Sequence, residues 1–285
     1  MPRTRLQPTD SPKGDPMVLD TPRRRATALS TRPELALIPL TFIVATGLWE
    51  LIVRVFGVPA FILPPPSAIL EALIMQLQQP IFWRHLAVTT QETLIGFLIG
   101  VAVALVLGTA ISQLRLLEKT IMPFVVAFQT IPKVALAPLF VVWFGFGMTS
   151  KIVMAAVISF FPMLVNVIEG LRSADPAQVE MLRSFGAKRG QIFRMVRVPN
   201  AMPFFMAGLD IGIVFAILGA VVGEFIGAQE GLGYLLLQTN YNFDIAGMFA
   251  VLIVLSAMGI IAHALLSFVR RKLAFWGPQE QVIGA

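Results

Sequence analysis

The chain has 285 residues, 56% of them hydrophobic and 13% charged, where a water-soluble domain carries about 25% charged residues. It has no cysteine, which excludes disulfides, thiol catalysis and Cys-ligated metals; the two histidines, His85 and His263, are too far apart for a metal-binding spacing. The formal net charge of +6 comes from basic residues beside apolar runs, which fits a membrane surface and not a nucleic acid. The expected fold class is all-α: a polytopic membrane protein of about six spanning helices.

Residues 1–33 hold six prolines, seven Lys or Arg and no long apolar run, and read as a disordered, solvated tail. The tail lacks the apolar core of a cleavable signal peptide, so it is expected to stay on the mature protein and in the cytoplasm. Residues 34–275 form the membrane domain. The first span covers about 35–56. A proline-rich turn (61–66) precedes a helix capped by Ser67, with Leu70, Leu73, Ile74 and Leu77 on one face. It lies either on the outer membrane surface or against the bundle.

The second span, 86–112, carries Gly96, Gly100, Ala104 and Gly108 at four-residue spacing, a stripe that admits close helix approach. The third, 120–146, is interrupted by Pro123, Pro132 and Pro138, and such breaks are tolerated where they face protein or a water-filled cavity. The fourth covers 152–171. The fifth, 201–227, has a second stripe at Gly208, Gly212, Gly219 and Gly223. An outer loop, 228–244, leads to the sixth span, 245–269, and residues 276–285 form a second cytoplasmic tail. With both termini inside, 18 of the 22 Lys and Arg fall on the cytoplasmic side, as the positive-inside rule requires.

The longest polar interruption after the tail is 173–199. Asp175 is placed to cap a helix, Pro176 suits its first position, and Gln178 stands where a capping-box partner would. The helix should run to about Phe185 and stop at Gly186. A second, basic helix follows with Lys188, Arg189, Arg194 and Arg197. Glu180-Met181-Leu182, Gly186-Ala187 and Val196-Arg197-Val198-Pro199 are spaced like the loop motif of a known family: a glutamate and two alanines, a glycine after three residues, and I-x-L-P after nine more. The glutamate, glycine and proline are kept; Met, Leu, Val and Val replace the other four residues. This resembles the EAA loop of ABC-transporter permeases of the binding-protein-dependent importer type, with a type I importer fold. The stretches 131–147, 61–69 and 230–236 are similar to the nitrate, sulfonate and taurine branch, of which thiamine- and pyrimidine-precursor permeases are close relatives.

The resemblance implies a transmembrane permease subunit in a bacterial inner membrane, moving a small solute inward. Its implied partners are a cytoplasmic ABC ATPase, a periplasmic or lipid-anchored solute-binding protein, and a second permease subunit forming a homodimer. Glu180, Met181, Leu182, Gly186, Ala187 and Pro199 would then form the ATPase-coupling surface. The chain has no P-loop pattern G-x-x-x-x-G-K-[ST], and neither H-E-x-x-H nor G-x-S-x-G occurs, so no catalytic set, cofactor or metal is expected. An ion-coupled secondary transporter is the alternative; it would show inverted repeats and paired intramembrane charges.

Lys133 sits mid-span, where a charge costs about 2.5–3.5 kcal/mol on insertion scales. It either faces the translocation pathway with Gln129 and Thr130, or snorkels and caps loose carbonyls at the helix break. Asn166 either lines the pathway or anchors the inner end of its span. Glu50, Glu92, Asp210 and Glu224 could relay protons, but pairing with Arg54, Arg84 or backbone groups is the favoured reading. His263 is expected to pack at an interface, and Glu180 to support its helix N-terminus or pair with Arg183.

Overall fold

The computed structural model describes residues 34–273, so both expected tails lie outside the described residues. Two compact units divide the chain, Met1–Ala45 with Ile283–Ala285 and Thr46–Val282. The described part of the first is the opening of the first helix, and all the later helices lie in the second.

The helices are α1 (Glu34–Val55), α2 (Pro66–Leu77), α3 (Pro80–Gln113), α4 (Arg115–Thr130), α5 (Ala137–Phe144), α6 (Met148–Arg172), α7 (Pro176–Ser184), α8 (Arg189–Ile192), α9 (Val198–Phe225), α10 (Leu232–Tyr241) and α11 (Ile245–Leu273). No strand occurs among the described residues. Among the described residues, five helical runs are long and apolar enough to cross a membrane. The α4–α5 pair, bent by 86°, makes a sixth if counted as one broken span.

That bend has a local cause. Ile131, before Pro132, adopts ψ 129, the extended conformation that a following proline imposes, so α4 ends there. A 3-10 turn, Lys133–Leu136, leads into α5, where Pro138 occupies the first turn, the position a proline tolerates best. Pro123 does not break α4.

The two glycine stripes both pack closely on α6. A Cβ on Gly96 would lie 2.5 Å from Ala155 Cβ, and one on Gly100 would lie 2.6 Å from Ser159 Oγ. On α9, a Cβ on Gly219 would fall 2.7 Å from the Ala155 backbone. Apolar side chains gain little by leaving lipid for protein, so this backbone-to-backbone approach is the main source of helix adhesion. Phe97, Val101, Met163, Leu164, Leu209 and Ile213 fill the core around the contact.

Four expectations are corrected. Ser67 is not the cap of α2. Pro65 takes that position without a side-chain cap, and Ser67 lies in the first turn with its N–H and hydroxyl bonded to Glu50 at 3.0 and 2.8 Å. The face of α2 that is buried carries Ile69 and Ala72, while Leu70 and Ile74 are exposed; α2 packs on α11, with Gln76 donating to the Gly247 carbonyl. The stretch 228–244 is not simply a loop, because it contains α10. The basic segment after Gly186 is not a separate helix. It runs through a π-turn, Phe193–Arg197, into α9, and residues 189–225 form one 37-residue helical run. Pro199 sits in the first turn of α9, so the fifth span starts well before Ala201.

Candidate functional site

The loop between α6 and α9 is built from its caps. The Asp175 side chain accepts the Ala177 N–H at 2.9 Å, holding the first turn of α7. Gln178 does not complete a capping box; its Oε1 accepts from Asn200 Nδ2 at 3.3 Å, which ties α7 to the base of α9. At the other end Gly186 takes φ +77. Its N–H reaches the Arg183 carbonyl at 2.9 Å, and the Ala187 N–H reaches that of Leu182 at 3.0 Å. This pair of bonds is a Schellman cap, which places Leu182 and Ala187 at the two positions that commonly pair by apolar contact. Both are half-buried. Gln191 then accepts the Lys188 N–H at 2.7 Å, starting the next turn.

What the caps leave exposed is apolar in the centre and basic at the edge. Met181, Phe185 and Met195 are 55%, 80% and 64% exposed, and Arg183, Lys188, Arg189 and Arg194 are exposed around them. Glu180 is exposed too, and among the described residues no ion pair joins it to Arg183. Pro199 is half-buried at the base. The loop is held to the bundle by Ser173, whose hydroxyl bonds the Gly170 carbonyl at 2.8 Å, and by an ion pair between Arg172 of α6 and Glu118 of α4.

The four pathway candidates do not converge. Lys133 lines a cleft of about 510 Å³ together with Ile99, Val103, Phe128, Phe160 and Phe161. Its Nζ lies 4.9 Å from the Phe161 ring centre and 3.3 Å from the Gln129 carbonyl that the break leaves free. Gln129 and Thr130 are exposed, and neither lines that cleft; Thr130 bonds back to Ala127 at 2.7 Å. Asn166 packs against Gly208 of α9 and bonds the Pro162 carbonyl at 2.9 Å.

A third constellation, at the bundle end opposite the 173–199 loop, went unrecognised in the sequence. His85, Thr89, Glu92, Lys151 and Glu224, from α3, α6 and α9, are all at most 5% exposed. The Thr89 hydroxyl donates to Glu224 Oε1 at 2.6 Å and accepts the Leu232 N–H at 2.7 Å. The Gly231 N–H donates to His85 Nδ1 at 3.0 Å, and the Gly233 N–H to Glu224 Oε2. The Lys151 ammonium donates to the Phe146 and Gly147 carbonyls and lies near both Glu92 and Glu224, which touch each other. Arg84 and Glu230 form an ion pair beside them. The signal for this cluster was depth: Lys151 stands one turn from the start of its helix and Glu224 at the last turn of its own, so both belong to the same end.

The favoured reading of the acidic residues holds for Glu50, Asp210 and Glu224, with partners partly different from those expected, but not for Glu92, which is buried beside Glu224 and Lys151. Glu50 pairs with Arg54 at 2.6 Å and Glu224 with backbone N–H groups. Asp210 lies 3.6 Å from Arg270 and 3.4 Å from His263, which accordingly sits at the α9–α11 interface. Among the described residues no cluster of three or more His, Asp or Glu could hold a metal ion.

Residues 96–275 match the family model described as binding-protein-dependent transport system inner membrane component. The chain is 37% identical over 245 residues to the formylaminopyrimidine transport permease ThiX of Halalkalibacterium halodurans, covering 85% of this chain and 96% of that one. It is 36% identical over 261 residues to the riboflavin transport system permease RibX of Chloroflexus aurantiacus, covering 92% and 97%. In structure it is similar to a chain of the inward-facing MetNI methionine ABC transporter, with a TM-score of 0.56 and 25% identity, covering 67% of this chain and 93% of that one.

Proposed function

This chain belongs to the binding-protein-dependent transport system inner membrane component family and is the permease subunit of an ATP-driven importer; from that premise we propose that a separate cytoplasmic ATPase acts on it through the 173–199 loop. The observation that carries this reading is the exposed apolar centre of Met181 and Phe185 with its basic rim, held in one shape by the Asp175 and Gly186 caps. A patch of that kind on a short, doubly capped helix suits docking into a partner's groove. Glu180, Leu182, Ala187 and Pro199 set the shape of that surface from beneath and beside it. ATP hydrolysis belongs to the partner, since the chain carries no P-loop pattern.

In the same proposal the loop and both termini face the cytoplasm of a bacterium, in its inner membrane, as the distribution of Lys and Arg supports. A solute-binding protein delivers the cargo from the other side, and a second identical permease subunit completes the pathway. The membrane domain comprises residues 34–275. The cleft beside Lys133 favours an organic solute with apolar surface over an inorganic anion such as nitrate: its walls are aromatic and aliphatic, with a single cation among them. A sulfonate or a heterocyclic vitamin precursor fits that description, and both relatives named above are called transporters of heterocycles.

For ATP to drive transport, nucleotide must bind an inward-facing and an outward-facing conformation of the assembly with different affinity. The test is uptake in lipid vesicles with the ATPase and binding protein reconstituted beside the permease. Uptake should require ATP, and Gly186→Asp should abolish it and weaken ATPase binding while leaving the permease inserted. Uptake by the permease without any ATPase, or full uptake by Gly186→Asp, would end this reading.

A further inference from the structure

We propose that Thr89 and Glu224 form a joint that carries movement of the 173–199 loop into the segment at the opposite end of the bundle. This makes them positioning residues for coupling, not contacts for solute, and it rests on the reading that an ATPase drives the loop.

The helical run 189–225 begins inside the loop and ends one residue past Glu224. Its α-helical part, Val198–Phe225, is 28 residues and so about 42 Å long at 1.5 Å per residue, and it packs against α6, so displacement at its base is carried to its last turn. Beyond that turn the backbone is poorly suited to transmit anything. Gly227 and Gly231 take φ +80 and +115 on either side of a three-residue link, so no continuous helical backbone joins α9 to α10.

The position of α10 is fixed instead by side chains. Three successive backbone N–H groups, of Gly231, Leu232 and Gly233, are held by His85, Thr89 and Glu224. Two of these side chains come from α3 and one from α9. Thr89 is the crossing point, since its single hydroxyl both donates to Glu224 and accepts from Leu232. When α9 shifts against α3, the Thr89–Glu224 bond and the first turn of α10 must shift together or break. All of these groups are buried, so water cannot take over a broken bond, and holding it is favoured. The far end of α10 is open: Tyr241 and Phe243 are 75% and 74% exposed.

The chain has no cysteine, so Tyr241→Cys creates a unique reporter. The experiment uses the permease assembled with its ATPase in lipid nanodiscs. It follows labelling of the new thiol by a charged maleimide with and without ATP and vanadate, and ATP hydrolysis in parallel. Nucleotide should change the labelling rate by roughly fivefold, the low end of typical coupling between sites. Thr89→Val, which keeps the shape and deletes the hydroxyl, should abolish that change while hydrolysis continues, and Thr89→Ser should restore it. Glu224→Gln removes one acceptor oxygen and should uncouple in the same way, which keeps the test open if Thr89→Val does not accumulate.

A Thr89→Val protein that keeps the full nucleotide response overturns the proposal, as does failure of Thr89→Ser to restore it. An otherwise unaltered assembly that hydrolyses ATP but shows no response at position 241 overturns the joint alone. One in which the permease binds no ATPase and hydrolyses nothing overturns the ATP-driven reading beneath it.

Discussion

Replacing Gly186 separates backbone conformation from chemistry at the loop. The glycine holds φ +77 and nothing lies within 4 Å of where a Cβ would sit, so a side chain costs no steric clash inside the chain. The whole penalty is the left-handed backbone, about 1–2 kcal/mol for an ordinary L-residue and less for Asn. That is roughly a 5- to 30-fold fall in the population of the capped form. Both bonds of the Schellman cap depend on that form: Gly186 N–H to Arg183 and Ala187 N–H to Leu182. The expected order of ATP-dependent uptake in reconstituted vesicles is therefore Gly, then Asn, then Ala, then Val. Thermal unfolding of the permease itself should barely move, because the loop is exposed and outside the core. Gly186→Asp shares the backbone tolerance of Asn and adds a negative charge within a basic surface, so any loss beyond the Asn variant measures the surface alone. If Val transports as well as Asn, the cap geometry is irrelevant and the reasoning fails.

Gly219→Ala should destabilise the bundle by about 1–3 kcal/mol through overpacking, since its Cβ would meet the Ala155 backbone at 2.7 Å; a lowered melting midpoint in detergent would register it, and an unchanged midpoint would contradict the tight α6–α9 contact. Glu118→Gln removes the ion pair to Arg172, whose side chains are 29% and 31% exposed. The loss should be about 0.2–1 kcal/mol, less at high salt, read as a small, salt-sensitive drop in the same midpoint. Lys133→Met should leave folding intact and reduce uptake of an anionic solute more than of a neutral one. Equal uptake of both, at the unaltered rate, would reduce Lys133 to a cap on the Gln129 carbonyl.

The spans were legible because apolar length is a one-dimensional property, and both glycine stripes could be read because four-residue spacing puts them on one helical face. The same holds for the α7 caps: Asp175 and Gly186 act on backbone groups two to four residues away. Where prediction failed, a partner from elsewhere had intervened. Ser67 looked like a helix cap, but Glu50, seventeen residues earlier, binds its N–H. Gln178 stood in the capping-box position, but Asn200 offered its side chain instead. The basic run after Gly186 looked like a separate helix because Pro199 usually ends one; a π-turn just before it lets the helix continue. Lys151 shows no partner in the sequence, since nothing in its own segment reveals Glu92 and Glu224 arriving from two other helices.

Glu50 and Glu224 show why charge in these spans was easier to place than to interpret. Each is near the end of a long helix, and each lends its carboxyl to the first turn of a short helix that follows in the chain, Glu50 to Ser67 of α2 and Glu224 to Gly233 of α10. The first turn of a helix has N–H groups with no intrahelical partner, and an oxygen acceptor from a neighbouring helix satisfies them as well as a local cap would. Neither short helix has a side-chain cap of its own. The surroundings differ: Glu50 also holds the exposed Arg54, whereas Glu224 is 1% exposed and packed beside Thr89, Glu92 and Lys151. Removing Glu50 leaves N–H groups that water can reach, while removing Glu224 leaves buried ones that it cannot. The same device is therefore a replaceable anchor at α2 and a coupling element at α10.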